Sequence, residues 1–369
     1  MESATAGPAT GYRTPAYAPP PPPRGMGLGS CAVGCVFVLL VGGLGLSLLL
    51  NITLAAGQVD KTHHEHGVTE KYHSLDRKAT NKVAIVRLEG PILDEDSFVR
   101  NQVEVIRRDD NVKAVVLRIN SPGGTISGSD EIYHRLRQLL EEREIPMVVS
   151  MGGIAASGGY YSAMAVGDGE RRIFAEPTTW TGSIGVIIPH YSFAGLMQEW
   201  KIEDDSIKSH PLKGVGSLTK TMTPEERAIL QALVDDGFTR FKDVIKSGRK
   251  QFAEHPEQLD ALATGQVFAA GDAKAKGLVD EIGYLDDAIA RALELANLDA
   301  SDAQAIEYRQ QTGLLQDLLI GPSGSQTFAE AAASLPANKL DVRSVIELST
   351  PRAYYLCTSL PPLEKLVRP

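Results

Sequence analysis

The chain has 369 residues, 43% of them hydrophobic, which is ample for a packed globular core. Its formal net charge of −9, from 37 basic and 46 acidic side chains, excludes a general nucleic-acid binder, because neutralising phosphates requires clustered Lys and Arg that are not found here. Three cysteines, two of them inside an apolar segment, exclude a disulfide-stapled secreted fold, so the core must stand by packing alone.

Residues 1–27 form a Pro-rich tail whose run Pro19–Pro23 favours polyproline II and builds no core. No charge occurs from Gly25 to Val59, and Cys31 to Leu50 supplies about 20 largely apolar residues, roughly 30 Å of helix. Residues 28–55 therefore read as a transmembrane anchor, longer than the apolar region of about 7–15 residues in a cleaved signal peptide. Arg13 and Arg24 in the tail, against Glu2, favour a cytoplasmic N-terminus. The expectation is a single-pass protein of the cell (inner) membrane whose main domain is extracytoplasmic. Residues 56–80 are polar and read as a solvated linker. His63, His64, His66 and His73 fall here, but nothing around them resembles a packed element that would hold a metal.

From residue 81 to 298 short apolar runs alternate with helical periodicity, the pattern of an α/β domain. Val83–Val86, Ala114–Leu117 and Pro146–Ser150 read as buried strands. Asp130–Glu144 is an amphipathic helix with Ile132, Leu136, Leu139 and Leu140 on one face. A second helix starts at Thr223, where Pro224 takes a first-turn position and Glu226 completes a capping box; Ile229, Leu230, Leu233, Val234, Phe238 and Phe241 follow at helical spacing. A third spans Leu285–Ala296. Residues 299–369 form an extension of unassigned role, ending in an apolar stretch around Ala353–Leu363.

The chemistry concentrates in glycine-rich turns. Gly152–Tyr161 follows a strand directly and leads into a helix-compatible run, so Ser157 sits at a strand-to-helix turn among residues with almost no side chain. Such a hydroxyl is a candidate nucleophile, and the N–H groups opening the helix favour developing negative charge. The loop Arg118–Gly124 offers further main-chain donors through its paired glycines, and two such loops at successive strand ends converge at one end of a parallel sheet. A serine needs a base. His134, His190, His210 and His255 have no evident supporting acid, whereas Lys208 and Lys213, in the Gly/Pro-punctuated segment Ile207–Gly216, suit a Ser-Lys pair; sequence physics leaves the choice between these two lysines open.

Several blocks, in order, resemble the signal peptide peptidase (SppA-like) family of membrane-bound serine proteases, relatives in fold of the Clp-type proteases and crotonases. They are Ser121–Gly124, Ala155–Tyr161, Thr181–Ile187, Lys208-Ser209 ahead of Lys213, and Gly277–Asp280 followed by Gly283. The resemblance covers roughly Lys82 to Ala296. It implies a ββα superhelix, with Ser157 as nucleophile, Lys213 as general base, Ser183 orienting the lysine, and Gly124 and Gly158 as oxyanion donors. It further implies a homo-oligomeric ring or dome that cleaves remnant signal peptides or other short apolar segments at the membrane, without a cofactor or metal. His210, Gly214 and Leu218 stand where that family usually has glycine, aspartate and proline. Those departures suggest one alternative, a degenerate membrane scaffold; the shared fold suggests another, a crotonase-like acyl-CoA enzyme.

Overall fold

The computed structural model describes residues 40–48, 67–93, 97–310 and 353–356. The chain divides into two units, Met1–Thr62 and His63–Pro369. In the first, residues 40–48 are helical, with Leu40, Val41, Leu44, Leu46 and Leu48 exposed. The rest of the expected anchor, and the Pro-rich tail, lie outside the described residues. Among the described residues no helix is long and apolar enough to cross a membrane.

In the second unit the strands are β1 (Val68–Leu75), β2 (Asn81–Glu89), β3 (Val112–Ser121), β4 (Gly123–Thr125), β5 (Met147–Ala156), β6 (Ile173–Ala175), β7 (Trp180–Gly182), β8 (Val267–Ala269), β9 (Glu281–Ile282), β10 (Ala303–Gln310) and β11 (Tyr354–Leu356). The helices are α1 (Ser97–Arg108), α2 (Ile126–Arg143), α3 (Gly158–Ala163), α4 (Ala194–Glu199), α5 (Pro224–Gly248), α6 (Lys250–Glu254), α7 (Pro256–Leu262), α8 (Ala270–Ala275) and α9 (Leu285–Ala296). The main sheet runs β1-β10-β2-β3-β5-β6-β9, with β7 pairing β5 and β8 pairing β7. It is parallel except at β1–β10 and β7–β8. This is a mixed α/β fold around a large, mostly parallel sheet.

Alternation along the central strands divides the core between two faces. Ala84, Val86, Val115, Leu117 and Val149 pack with Val99, Val103 and Ile106 of α1 and Ile132, Leu136 and Leu139 of α2. Val83, Ile85, Ala114, Val116 and Val148 pack with Ala288, Ile289, Ala292 and Leu293 of α9. All three expected strands and all three expected helices form. α2 starts earlier than its apolar spacing indicates because Thr125 caps it, accepting from Gly128 N. The capping box at Thr223 and Glu226 is present. Among the apolar residues of α5, however, Phe241 is buried while Ile229 and Leu233 stay exposed.

Two segments differ from the sequence reading. The polar stretch expected as a linker carries β1, an edge strand held by antiparallel pairing to β10 and by Lys71–Glu307 at 2.8 Å. The extension contributes β10, which lies in the sheet between β1 and β2 with Ala303, Ala305 and Ile306 buried. Neither strand's partner is near it in sequence, so local pattern carried little of the signal.

Candidate active site

The end of β5 builds the site. Ala155 pairs with Thr181, and Ala156 with Gly182 of β7, so Ser157 and Ser183 are each the first residue beyond a paired strand end. The Ser157 N–H donates to Gly182 O at 2.8 Å, and Ser157 O accepts from Tyr161 N at 2.9 Å as α3 begins. Turning directly from strand into helix forces Ser157 to φ 54°, ψ −116°, a region that costs a side-chain-bearing residue energy and is retained where the surroundings over-determine it. Ser183 is similarly held at φ 51°, its N–H donating to Gln266 O at 2.7 Å. Ser157 is 1% exposed, and its Oγ is buried without a hydrogen-bond partner among the described residues. A buried hydroxyl left unpaired costs about 1–3 kcal/mol, so its position at this turn calls for an explanation beyond packing.

The second glycine loop meets the first at atomic contact. A Cβ on Gly158 would lie 2.2 Å from Ser129 Oγ and 3.2 Å from Gly124 N, and one on Gly123 would lie 2.6 Å from Gly158 N. A Cβ on Gly124 would lie 1.7 Å from Ile92 O. Neither Gly124 nor Gly158 has a positive φ; close approach demands glycine at each, of the Ile92 backbone at Gly124 and of the Ser129 hydroxyl at Gly158. Their main chains are thereby brought together beside Ser157.

The two tyrosines after the glycines lock α3 in place. Tyr160 Oη donates to Leu278 O at 2.9 Å, and Tyr161 Oη to Asp130 Oδ1 at 2.5 Å. Burial pushes both phenols well above their ordinary range, and at Tyr161 the Asp130 carboxylate adds to the effect. Arg240 Nη2 shares Asp130 at 2.7 Å. Asp280 closes the Gly277–Asp280 block. Its Oδ2 accepts from Arg172 N and Ile173 N at 2.8 Å, and its Oδ1 from Arg249 Nη1 at 2.6 Å. That block therefore acts as a buttress behind Tyr160.

The lysines behave differently from the serines. Lys213 lies in a 3-10 turn, Pro211–Gly214, and is exposed; among the described residues its amine has no hydrogen bond or ion pair. Lys208 Nζ is 3.6 Å from Asp204 Oδ2 and 3.5 Å from Ser206 O. Lys220 pairs with buried Glu226, whose carboxyl that hydrogen bond holds below its ordinary value. Within one chain the structure thus assembles Ser157, Ser183, Gly124 and Gly158, and among the described residues no lysine is hydrogen-bonded to Ser157 Oγ. The four histidines are not paired with Ser157 either. His210 caps the Lys213 turn, its Nδ1 accepting from Leu212 N at 3.2 Å, and His190 contacts Ser217 O.

Comparison with known proteins identifies the family. The profile of Peptidase family S49 matches residues 140–299, a span containing Ser157, Ser183 and Lys213. A putative protease, slr0021, from Synechocystis is 38% identical over 217 residues, covering 59% of this chain and 75% of the relative. The chain belongs to peptidase family S49. This S49 chain has relatives that carry the names of proteases. It is also 37% identical over 224 residues to Protease 4 of Salmonella typhi, covering 58% of this chain and 35% of that protein. A putative signal peptide peptidase SppA from Enterococcus faecium is 36% identical over 211 residues, covering 57% and 58% respectively. The S49 chain thus spans about a third of the length of the Protease 4 relative.

Sequence reasoning missed the supports of the site. Asp130 and Ile92 precede or open helical and loop segments whose pattern marks them only as polar and apolar. The Gly182 carbonyl that orients Ser157 carries no side-chain signal at all. Tyr355, from the unplaced apolar stretch, is fully buried in the core behind β4.

Proposed function

We propose that this chain is a membrane-anchored serine endopeptidase of Clp/crotonase-type fold whose nucleophile, Ser157, is activated by Lys213 of a second copy. The observation that carries the reading is Ser157 itself: a strained, glycine-lined residue at a strand-to-helix turn, its Oγ buried and unpartnered. Lys213 takes the proton as Oγ attacks a peptide carbonyl, the Gly124 and Gly158 N–H groups hold the oxyanion, and Ser183 orients the amine. The C–N bond then breaks, the amine leaves with the proton, and water activated by the same lysine releases the acyl group.

Delivery of the lysine by a neighbour is supported by its exposure and lack of partners within its own chain. It is also supported by the apolar surface preceding it, where Tyr191, Phe193, Trp200, Ile202 and Ile207 are all at least half exposed. Surface of that kind marks an association site, which fits a closed homo-oligomer such as a ring or dome. Of the two candidate bases Lys213 is favoured, because the Lys208 amine already faces Asp204. The apolar, charge-free residues 28–55 support a single-pass anchor in the cell membrane with the peptidase outside. Substrates near the bilayer would then be remnant signal peptides or other short apolar segments.

Mixed assembly tests this. Ser157→Ala and Lys213→Met chains are each expected to be inactive on an apolar peptide while remaining folded, Lys213→Met with the wild-type melting temperature and Ser157→Ala with one at or above it, since it loses an unpaired buried hydroxyl. Co-assembled, they are expected to recover activity, because the serine of one meets the lysine of the other. Full turnover by Ser157→Ala would end the serine assignment, and no recovery on mixing would end the shared site.

A further inference from the structure

Glu226 places a carboxylate where charge is expensive. It lies in the first turn of α5, where Thr223, Pro224 and Glu225 are exposed, yet Glu226 itself is only 2% exposed. Its capping role does not require a charge. Thr223 N donates to Glu226 Oε2 at 3.0 Å and Glu226 N donates to Thr223 Oγ1 at 3.2 Å, a reciprocal pair that glutamine makes equally well. Taking an ionised carboxylate out of water is costly unless a cation meets it. That cation is Lys220, whose Nζ donates to Glu226 Oε1.

The ion pair reaches the turn that carries Lys213. A Cβ on Gly214 would lie 3.4 Å from Lys220 Cε and 3.2 Å from Lys208 Cε, so two lysine stems lie along the main chain of the residue that follows Lys213. Gly214 and Gly216 are buried while Lys213 is exposed. The turn thus rests on its glycine side against those stems, and a side chain at 214 would compete with them for the space.

The rest of the loop is tied to itself. Asp204 accepts from Ser206 N at 3.0 Å and, through its other oxygen, from Thr219 Oγ1 at 2.6 Å, while the Ser217 and Thr219 hydroxyls are 2.7 Å apart. Leu218 O accepts from Phe193 N at 2.7 Å, and Lys220 O from Ser192 Oγ at 3.4 Å. Residues 204–219 therefore form one cross-linked loop with Lys213 inside it, and Lys220, the next residue, joins that loop to the first turn of α5.

We infer that Glu226 is a positioning residue for Lys213: acting through Lys220, it fixes the turn Pro211–Gly214 relative to α5 and so sets the direction in which the Lys213 amine leaves the chain. The inference rests on the reading of Lys213 as base for Ser157 of a second copy, and adds the residue that aims it. Aim matters because a misplacement of about an ångström in a reacting group can cost about 10²-fold in rate. It also gives Lys208 and Lys220 a supporting part in the loop, distinct from that of the base.

On that reading the reactive groups come from different copies, so the effect of Glu226 can be assigned to one of them. Full-length Ser157→Ala chains supply the lysine and Lys213→Met chains supply the serine. Glu226→Gln, which keeps the capping box and removes the ion pair, is added to one of these and then to the other, and kcat and KM on an apolar peptide are measured after mixing. On the lysine-supplying chain it is expected to lower kcat about tenfold with KM changed by less than about twofold, and to cost several times more than on the serine-supplying chain. Glu226→Gln combined with Lys220→Met, which leaves neither charge without its partner, covers the case in which the single variant folds poorly. The combination is expected to lose no more than Glu226→Gln alone, because the two residues act as one unit; a clearly larger loss would overturn the coupling. Equal losses from the two placements, or no loss from either, would overturn the positioning role and leave the shared site standing. No activity in the mixture that lacks any change at Glu226 would remove the shared site and this inference with it.

Discussion

Gly124→Ala probes the contact on which the oxyanion geometry depends. The new Cβ would lie 1.7 Å from Ile92 O and 2.5 Å from Ile92 C, both backbone atoms. Ordinary carbon contacts are about 3.5 Å, so the two strands must part by roughly 1.5 Å or more. That stretches Ile92 N to Gly123 O and Thr125 N to Ile92 O, each 2.9 Å. Two weakened hydrogen bonds at about 1 kcal/mol each, with about 1–3 kcal/mol of overpacking, give a loss of roughly 3–5 kcal/mol. Against a typical stability of about 5–15 kcal/mol the variant should still fold. Its Gly124 N–H, however, is displaced by about an ångström, and losing one oxyanion donor lowers kcat by about 10²–10³. The assay is kcat and KM on an apolar peptide well below the melting temperature, with Gly271→Ala as control, since a Cβ there meets nothing within 4 Å. Activity of Gly124→Ala within about threefold of wild type would refute the reasoning.

Ser157→Gly relieves the φ 54° strain that Ser157→Ala keeps, so by calorimetry the glycine variant should be the more stable of the two by about 1 kcal/mol, although both are inactive. Arg249→Met leaves Asp280, only 16% exposed at its side chain, without its cation; because two backbone N–H groups still reach that carboxylate, the loss in denaturant unfolding should sit near the lower end of about 3–5 kcal/mol. Tyr160→Phe strands the Leu278 carbonyl and should cost about 1 kcal/mol in the same assay. Burial raises the Glu307 carboxyl, but hydrogen bonds from Lys71 and Arg87 outweigh it and hold it below its ordinary value. Its contribution is therefore complete above the unfolded value of about 4.3 and is lost as pH falls through the lower folded one. Glu307→Gln should accordingly flatten the acid side of the stability profile, and an unchanged profile would count against the assignment.

The central sheet was legible because Val83–Val86, Ala114–Leu117 and Met147–Ser150 are apolar runs buried on both faces, and because Thr223, Pro224 and Glu226 spell a helix start in local chemistry. Ser157 was legible for a similar reason, since only a very tight turn places a serine among Gly152, Gly153, Gly158 and Gly159. β1 and β10 were not, because Val68–Leu75 is mostly polar and gains its order from a partner more than two hundred positions away. The burial of Tyr355 was hidden likewise: its ring neighbours come from α3 and α5, and its hydroxyl donates to a backbone carbonyl. The lysine illustrates a third limit: Lys213 is exposed and makes no hydrogen bond or ion pair among the described residues, so the contacts of its amine within one chain carry no information on its proposed role.

Pairing of Val68 with Gln310 places the first residue of β1 opposite the last residue of β10. Entry to and exit from the sheet are therefore neighbours on one rim, about 5 Å apart as in any cross-strand pair. A two-residue hairpin turn between those positions would join the two strands directly, so a circularly permuted sheet, with new termini cut into an exposed surface loop remote from Ser157, would show how far folding depends on residues 311–369, which such a link leaves out together with the buried Tyr355.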